Sequence, residues 1–515
     1  MGCGDLPVRY YLEMSSTPNP SIRTQRHPHK AGDAVFAGRR VHFIGIGGSG
    51  MSGLAELILH RGAICSGNDS NDGPALERLR TAGIGIQLGE PTTEDPLPEG
   101  CDLVVFSAAV KPDHPHMLRA NQEGIETISY AEAVGRAQLG RTAVSVAGTH
   151  GKSTTTSMLA FVLKECGLDP SYIAGAMCPQ LGGGSRVGAE RLVDSAGERP
   201  GIFVAESCEF NRSFHHHQPT FALINNLEED HLDFYGSIDD IIQAFHEFAA
   251  LLPSADHGGK LLIAHEDAHR RTVTAGLDCE VKTFGFSPAA DYQIFLDTAA
   301  RRVGILEGGH WLAQWTSFLP GEHNAHNSAA AAILAHWLGA EWDQIGVALT
   351  AFRGLDRRMQ HLGDRPARHG GTVRVYDDYG HHPSECDATL RALRTAENPK
   401  RLICVFQPHQ HSRTRFLLDE FANSFSHADI VIVPPIFFVR DSEDEKRMIS
   451  SSDLVDRLRE KNIMAMHLHP FAAIVEQLNV NCEDGDLVVV MGAGPVWKIG
   501  HAFLKEGLPT RSGEG

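Results

Sequence analysis

The stretch Val144 to Met158, VSVAGTHGKSTTTSM, constrains this chain more than any other. An apolar β-type run from Thr142 to Ala147 meets a glycine turn. Lys152, Ser153 and Thr154 then open a helical segment that reaches about Cys166. A strand, a glycine turn and a helix in that order aim backbone N–H groups and a helix N-terminus at one point, where a phosphate chain can sit. A lysine there reaches terminal phosphates, and the adjacent hydroxyl can ligate Mg²⁺. The segment therefore predicts use of a nucleoside triphosphate, without saying for what. The turn is also tighter than the common phosphate loop: GxxxxGK[ST] asks for glycine where Val146 stands.

The 515 residues predict about three domains. Hydrophobic content of 42% and charged content of 21% are those of an ordinary globular protein. A net charge of -18 disfavours nonspecific binding to nucleic acid or anionic membrane, so anionic substrates need local basic pockets. The 10 cysteines form no CxxC pair and no framework spacing, which suits reduced thiols in the cytoplasm. No apolar run is long enough to span a membrane, and no signal-peptide core precedes the first domain. Oligomeric state is open between monomer and dimer.

Residues 1–38 lack periodicity and read as a flexible tail. From Arg39 onward, apolar strands alternate with helical patterns, which predicts α/β architecture with parallel sheets. The expected division is 39–139, 140–355 and 356–515. The first and last units are Rossmann-like, and the central one is a P-loop ATPase-type α/β domain. The stretch Arg186 to Pro200 reads as an inserted surface loop. In open α/β sheets ligands bind beyond the carboxyl ends of strands, so polar residues at strand ends carry the most weight.

Four constellations lie at such ends. Gly45-x-Gly47-x-x-Gly50 follows a strand and precedes a helix, with Asp69 downstream. It suits a dinucleotide or another pyrophosphate ligand such as a nucleotide sugar. Glu206 ends the FVAE strand and His231 sits in EEDHLD; with Ser153 they form a candidate Mg²⁺ set, although His231 alone could simply cap a loop, and Asp230 and Asp233 could be solvated turn residues. In PGEHNAHN, His323, Asn324 and Asn327 open an alanine-rich helix, and Asn can pair with an adenine edge. Arg357 and Arg358 follow at a domain junction, where an arginine can neutralise developing phosphate charge. DDYGHHPSE and QPHQHSRTR supply Tyr379, His381 and Arg413, which could hold an amino-acid carboxylate and orient its amine. His215, His216 and His217 do not read as a metal cluster, because consecutive side chains diverge.

GIGGSGM, GTHGKST, DHLD, PGEHN, RRMQ, DDYGHHPSE and QPH…RTR, in this order from Arg39 to Ala502, resemble the Mur ligase family. That resemblance implies ATP and Mg²⁺ as cofactors, with Gly148, Thr149, His150, Gly151, Lys152, Ser153, Thr154, Asn324, Asn327 and Arg357 around ATP. It implies a UDP-sugar, not NAD, at Gly45, Gly47, Gly48, Gly50, Met51, Asp69 and Ser107. Tyr379, His381 and Arg413 would take the amino acid. Lys152, Ser153, Glu206, His231, Arg358 and His381 would carry the chemistry, with metal at Ser153, Glu206 and His231. DDYGHHP favours the branch that joins L-alanine to UDP-N-acetylmuramate in peptidoglycan precursor synthesis. So does Phe245, which stands where the later-acting siblings carry a carbamylated lysine.

Two departures stand out. Gln410 replaces an arginine that helps bind the amino acid, and Ser153 replaces a threonine. Three other readings remain: a recycling ligase that attaches a preformed peptide to UDP-N-acetylmuramate, an NAD(P)-dependent oxidoreductase, and a catalytically silent nucleotide-sensing module.

Overall fold

The computed structural model describes residues 35–194, 197–230, 232–439 and 441–505. These residues form four sheets, of five, two, ten and six strands. Residues 1–34 of the expected tail and His231 lie outside the described residues; Phe36, expected in the tail, is instead buried in the core of the first unit.

The first large sheet is wholly parallel. Arg40–Ile44 lies at its centre, flanked by Ile64–Asp69 and Leu103–Phe106. Chain order reverses between the two flanking strands, so a crevice opens at the carboxyl end of Arg40–Ile44, the place where such sheets bind ligands. The glycine loop Gly45–Gly50 occupies that crevice. Its helix Ser49–His60 buries Leu54, Ala55, Leu57 and Ile58 against the sheet.

Beneath this sheet His42 is buried, 3.0 Å from Ser66 Oγ and 3.1 Å from His116 Nδ1. Burial, and then the neighbouring His116 and His114, push His42 down from 6.5 to about 3. The native state therefore keeps it neutral, while the unfolded chain protonates it below about pH 6.5. Its contribution to stability is complete above that pH and is lost as pH falls towards 3. Urea melts between pH 7 and 5 should show stability falling by up to about 1.4 kcal/mol per pH unit for this one proton. His42→Gln should flatten the slope by that amount, and an unchanged slope would contradict the assignment.

The ten-stranded sheet holds the phosphate loop. Thr142–Ala147 runs parallel between Ile202–Glu206 and Phe221–Ile224, so three strand ends lie side by side. These three strands are apolar and buried on both faces, as parallel strands covered by helices must be. The helices Lys152–Glu165 and Glu322–Trp337 belong to one apolar cluster on this sheet. Close packing of the second is possible because Ala329, Ala330, Ala331 and Ala332 present only methyl groups.

The sheet then continues through Tyr292–Asp297, Arg302–Glu307 and His310–Thr316, paired antiparallel. Arg186–Pro200 is not a plain surface loop. Gly183–Arg186 closes the opposite sheet edge, and Arg191–Asp194 pairs antiparallel with Gly197–Pro200. The exposure expected there is kept: Val193 faces solvent.

The six-stranded sheet is parallel except for its edge strand Gln360–Pro366. Thr372–Asp378 and Leu402–Phe406 flank Leu487–Met491, and their ends carry the DDYGHHP and QPH segments. The nine described cysteines are all unpaired thiols. Among the described residues, no helix is long and apolar enough to cross a membrane.

Candidate active site

The phosphate loop is braced from beside and below. Asn226 Oδ1 accepts the His150 N–H at 2.7 Å, and the Thr149 hydroxyl accepts the Glu228 N–H at 2.9 Å. Gly151 takes a left-handed φ of 79° to start the helix. A Cβ there would lie 2.3 Å from both Asn225 Nδ2 and Asn327 Oδ1, so only glycine fits. Asn327 accepts from Asn225 Nδ2 at 2.7 Å and from the Thr155 hydroxyl at 3.3 Å, which ties the loop to the alanine-rich helix. Asn324 instead donates to Pro320 O at 2.8 Å.

Lys152 Nζ donates to Gly148 O at 2.6 Å and to Thr149 O at 2.9 Å, and lies 2.9 Å from Glu209 Oε2. Burial works against its charge, but Glu209 outweighs it and holds the ammonium above its ordinary range. Lys152 is thus a fixed cation resting on the loop carbonyls. Sequence reasoning missed Glu209; its place in ESCEF, three residues after Glu206, was the available signal.

Ser153 and Glu206 converge. Glu206 Oε2 accepts the Gly175 N–H at 2.5 Å. A Cβ on Gly175 would lie 2.9 Å from Glu206 Oε2 and 3.2 Å from Ser153 Oγ. Two hard oxygen donors therefore border one space that glycine leaves open, the donor chemistry that Mg²⁺ prefers.

A cavity of about 490 Å³ adjoins the loop. Its walls include His150, Thr154, His323, Asn324, Asn327 and Arg358, a size and lining suited to a nucleotide. Arg358 reaches it; Arg357 does not line it. Arg357 Nη2 instead donates to Gly492 O at 2.5 Å, and its Nε stands 3.3 Å from Asp377.

The unit of the six-stranded sheet closes the cavity, through Arg358, Asp378 and Glu385. Glu385 Oε1 lies 3.3 Å from His150 Nδ1 and 3.5 Å from Arg358 Nη1. Burial opposes charge on His150, but Glu385 and then Glu228 outweigh it and raise the imidazole to about 10. Tyr379 lies under Arg358, 5.0 Å from its guanidinium, and 5.4 Å from the His381 ring. His381 is 5.9 Å from His409, which approaches Arg413 Nη1 at 3.5 Å. Tyr379, His381 and Arg413 thus share one cluster, with His409 as a further member. Arg413 also pairs with Asp230 of the central unit at 2.9 Å. Burial lowers His381 to about 3, which keeps it neutral and makes it a weak base for an amine. Gln410 caps the helix at a left-handed φ of 68° and is buried.

The glycine loop faces the same region. A Cβ on Gly50 would lie 2.6 Å from the Tyr130 hydroxyl. Burial and then the Glu206 carboxylate raise the Tyr130 phenol, so Tyr130 stands between the two loops. Asp69 accepts the Gly47 N–H at 2.8 Å. Ser107 lies opposite Gly45, 3.3 Å from where its Cβ would be, while Gly48 precedes the helix and Met51 is buried within it.

The triple histidine diverges: His215 bonds Ala244 O at 2.8 Å, while buried His217 lies 3.0 Å from the hydroxyls of both Ser145 and Ser207. Gln138, from the first unit, donates to the same Ser145 at 3.0 Å.

Comparison with known proteins covers nearly all of this architecture. Residues 40–141 match the Mur ligase family catalytic domain, 146–335 the Mur ligase middle domain, and 357–494 the Mur ligase glutamate ligase domain. A UDP-N-acetylmuramate–L-alanine ligase of Caldanaerobacter subterraneus subsp. tengcongensis is 35% identical over 473 residues, 91% of this chain and 98% of the relative. The fold is shared with a UDP-N-acetylmuramate–alanine ligase of Thermotoga maritima, with a TM-score of 0.71 and 24% identity over 90% of this chain and 98% of that one. A murein peptide ligase from Psychrobacter arcticus 273-4 gives a TM-score of 0.65 at 25% identity, covering 91% and 98%. With its three matched regions in order and a relative aligned over almost its full length, the chain belongs to the Mur ligase family.

Proposed function

We propose that this chain joins L-alanine to the carboxylate of UDP-N-acetylmuramate, with ATP converted to ADP and phosphate. The observation that carries the chemistry is the convergence of Lys152, Ser153 and Glu206 at the head of the phosphate loop. The alanine reading rests on the name carried by the 35%-identical relative and on DDYGHHP. In this division of labour, residues 39–139 hold the UDP-sugar, 140–355 hold ATP, and 356–515 bring the amino acid.

A carboxylate is a poor electrophile. Its oxygen attacks the γ-phosphorus, ADP leaves, and an acyl phosphate forms. The neutral amine then attacks the carbonyl carbon, phosphate leaves through a tetrahedral intermediate, and the amine loses a proton. Lys152, released from Glu209, neutralises the transferring phosphoryl group, and Arg358 adds charge from across the cavity. Tyr379, His381 and Arg413 orient the amino acid. Catalysis then rests on positioning and fixed charge. Ser153 and Glu206 would hold Mg²⁺, with His231 a third ligand by family resemblance; the ion supplies charge neutralisation at the phosphates.

Gly175→Ala tests that metal assignment. Its methyl group enters the space between Glu206 and Ser153, so the Mg²⁺ concentration for half-maximal turnover should rise about tenfold, with thermal stability little changed. An unaltered Mg²⁺ requirement would remove the ion from this position.

The function itself is tested by phosphate release with MgATP, UDP-N-acetylmuramate and each of alanine, glycine, serine or a tripeptide. Release should require both substrates and be fastest with alanine. A faster reaction with tripeptide would assign the recycling role instead. Nicotinamide binding without ATP turnover would support an oxidoreductase.

A further inference from the structure

We propose that His150, Glu228 and His382 form a second metal site, suited to Zn²⁺ rather than Mg²⁺, which clamps the third unit onto the phosphate loop. The three donor atoms lie within 4.8 Å of one another. His150 Nε2 is 3.4 Å from Glu228 Oε2, and His382 Nδ1 is 3.9 Å from the same oxygen. Tetrahedral zinc with bonds of about 2.0–2.1 Å needs ligand atoms about 3.3–3.4 Å apart, so small side-chain rotations suffice. Two imidazoles and a carboxylate, with one position left for water, are a zinc donor set; Mg²⁺ prefers oxygen.

The outer partners of both rings strengthen the case. Zinc-binding histidines donate their other N–H to a carboxylate or a backbone carbonyl, which fixes the tautomer and aims the free nitrogen. His150 Nδ1 faces Glu385 Oε1 at 3.3 Å. His382 Nε2 faces the Glu229 carbonyl at 3.2 Å. His150 thus turns its remaining nitrogen towards Glu228, while His382 Nδ1 also accepts the Ser384 N–H at 3.4 Å, a helix-capping contact that the ion would replace. His150 Nε2 is moreover buried and faces Glu228 Oε2 without a well-aligned hydrogen bond.

The ligands come from two units: His150 and Glu228 from the central sheet, His382 from the start of helix Pro383–Glu397. Zinc would therefore tie the two units together and hold the loop histidine away from ATP. Zinc binding is read without substrates and so stands apart from the ligase reaction.

The test titrates Zn²⁺ into the full-length, nucleotide-free protein against a chromophoric chelator, in excess Mg²⁺. One equivalent should bind, with an X-ray absorption signature of two imidazoles. His382→Gln and Glu228→Gln should each weaken it at least about tenfold. The thermal midpoint of the wild type should rise with Zn²⁺, and that of the variants should not. His257→Gln, on the exposed surface, should bind as the wild type does. No stoichiometric uptake, or equal uptake by wild type and both ligand variants, would overturn the site and leave a proton as the occupant of His150.

Discussion

Lys152→Ala should lower turnover by about 10³-fold or more while leaving the fold intact. The side chain rests on two loop carbonyls and Glu209. In the reaction that same ammonium must meet charge as it spreads over the transferring phosphoryl oxygens, which is where fixed cations contribute most. Removing it also leaves Glu209 buried beside the loop without its cation, and a clear loss of thermal stability should accompany the kinetic loss. Lys152→Ala/Glu209→Gln should recover stability without recovering turnover. Near-normal turnover by Lys152→Ala would refute its role in phosphoryl transfer.

Glu206→Gln should cost about 10²-fold in turnover, with the Mg²⁺ requirement displaced upward. The exchange is nearly isosteric, and the amide oxygen can still accept the Gly175 N–H. What changes is charge: the proposed ion loses its anionic ligand at the point where Ser153 converges. Excess Mg²⁺ should restore part of the activity of this variant and none of that of Lys152→Ala. Equal insensitivity of both variants to Mg²⁺ would count against Glu206 as a ligand.

The parts of the site written in short-range pattern were legible from the chain alone. The strand Thr142–Ala147, the turn and the helix from Lys152 fall where apolar runs and glycine spacing predict them. Glu206, Tyr379 and His381 were found because buried parallel strands end sharply in polar residues.

What escaped depends on partners far along the chain. Glu209 gains its meaning from Lys152, 57 residues away, and Glu228 from Ser384, 156 residues away. Arg357 and Arg358 are adjacent and chemically alike. A left-handed φ of 57° at Arg357 accompanies their separation, one tied to Asp377 and the other lining the cavity. The antiparallel extension Tyr292–Thr316 was hidden for a different reason: its apolar segments are short, bounded by polar residues and only partly buried.

Val146 illustrates the reverse. It departs from the common phosphate-loop pattern, yet it is buried in a strand that ends only at Ala147. Around the tighter turn, Asn226 accepts the His150 N–H and Asn225 donates to the His150 carbonyl.

The central claim is that this loop drives activation of a carboxylate. UDP-N-acetylmuramate labelled with oxygen-18 in its carboxylate tests it most directly, incubated with the protein, MgATP and L-alanine. An acyl phosphate requires one labelled oxygen to pass from the sugar carboxylate to each phosphate released, alongside a UDP-N-acetylmuramoyl-L-alanine product. Phosphate released without label would contradict the account.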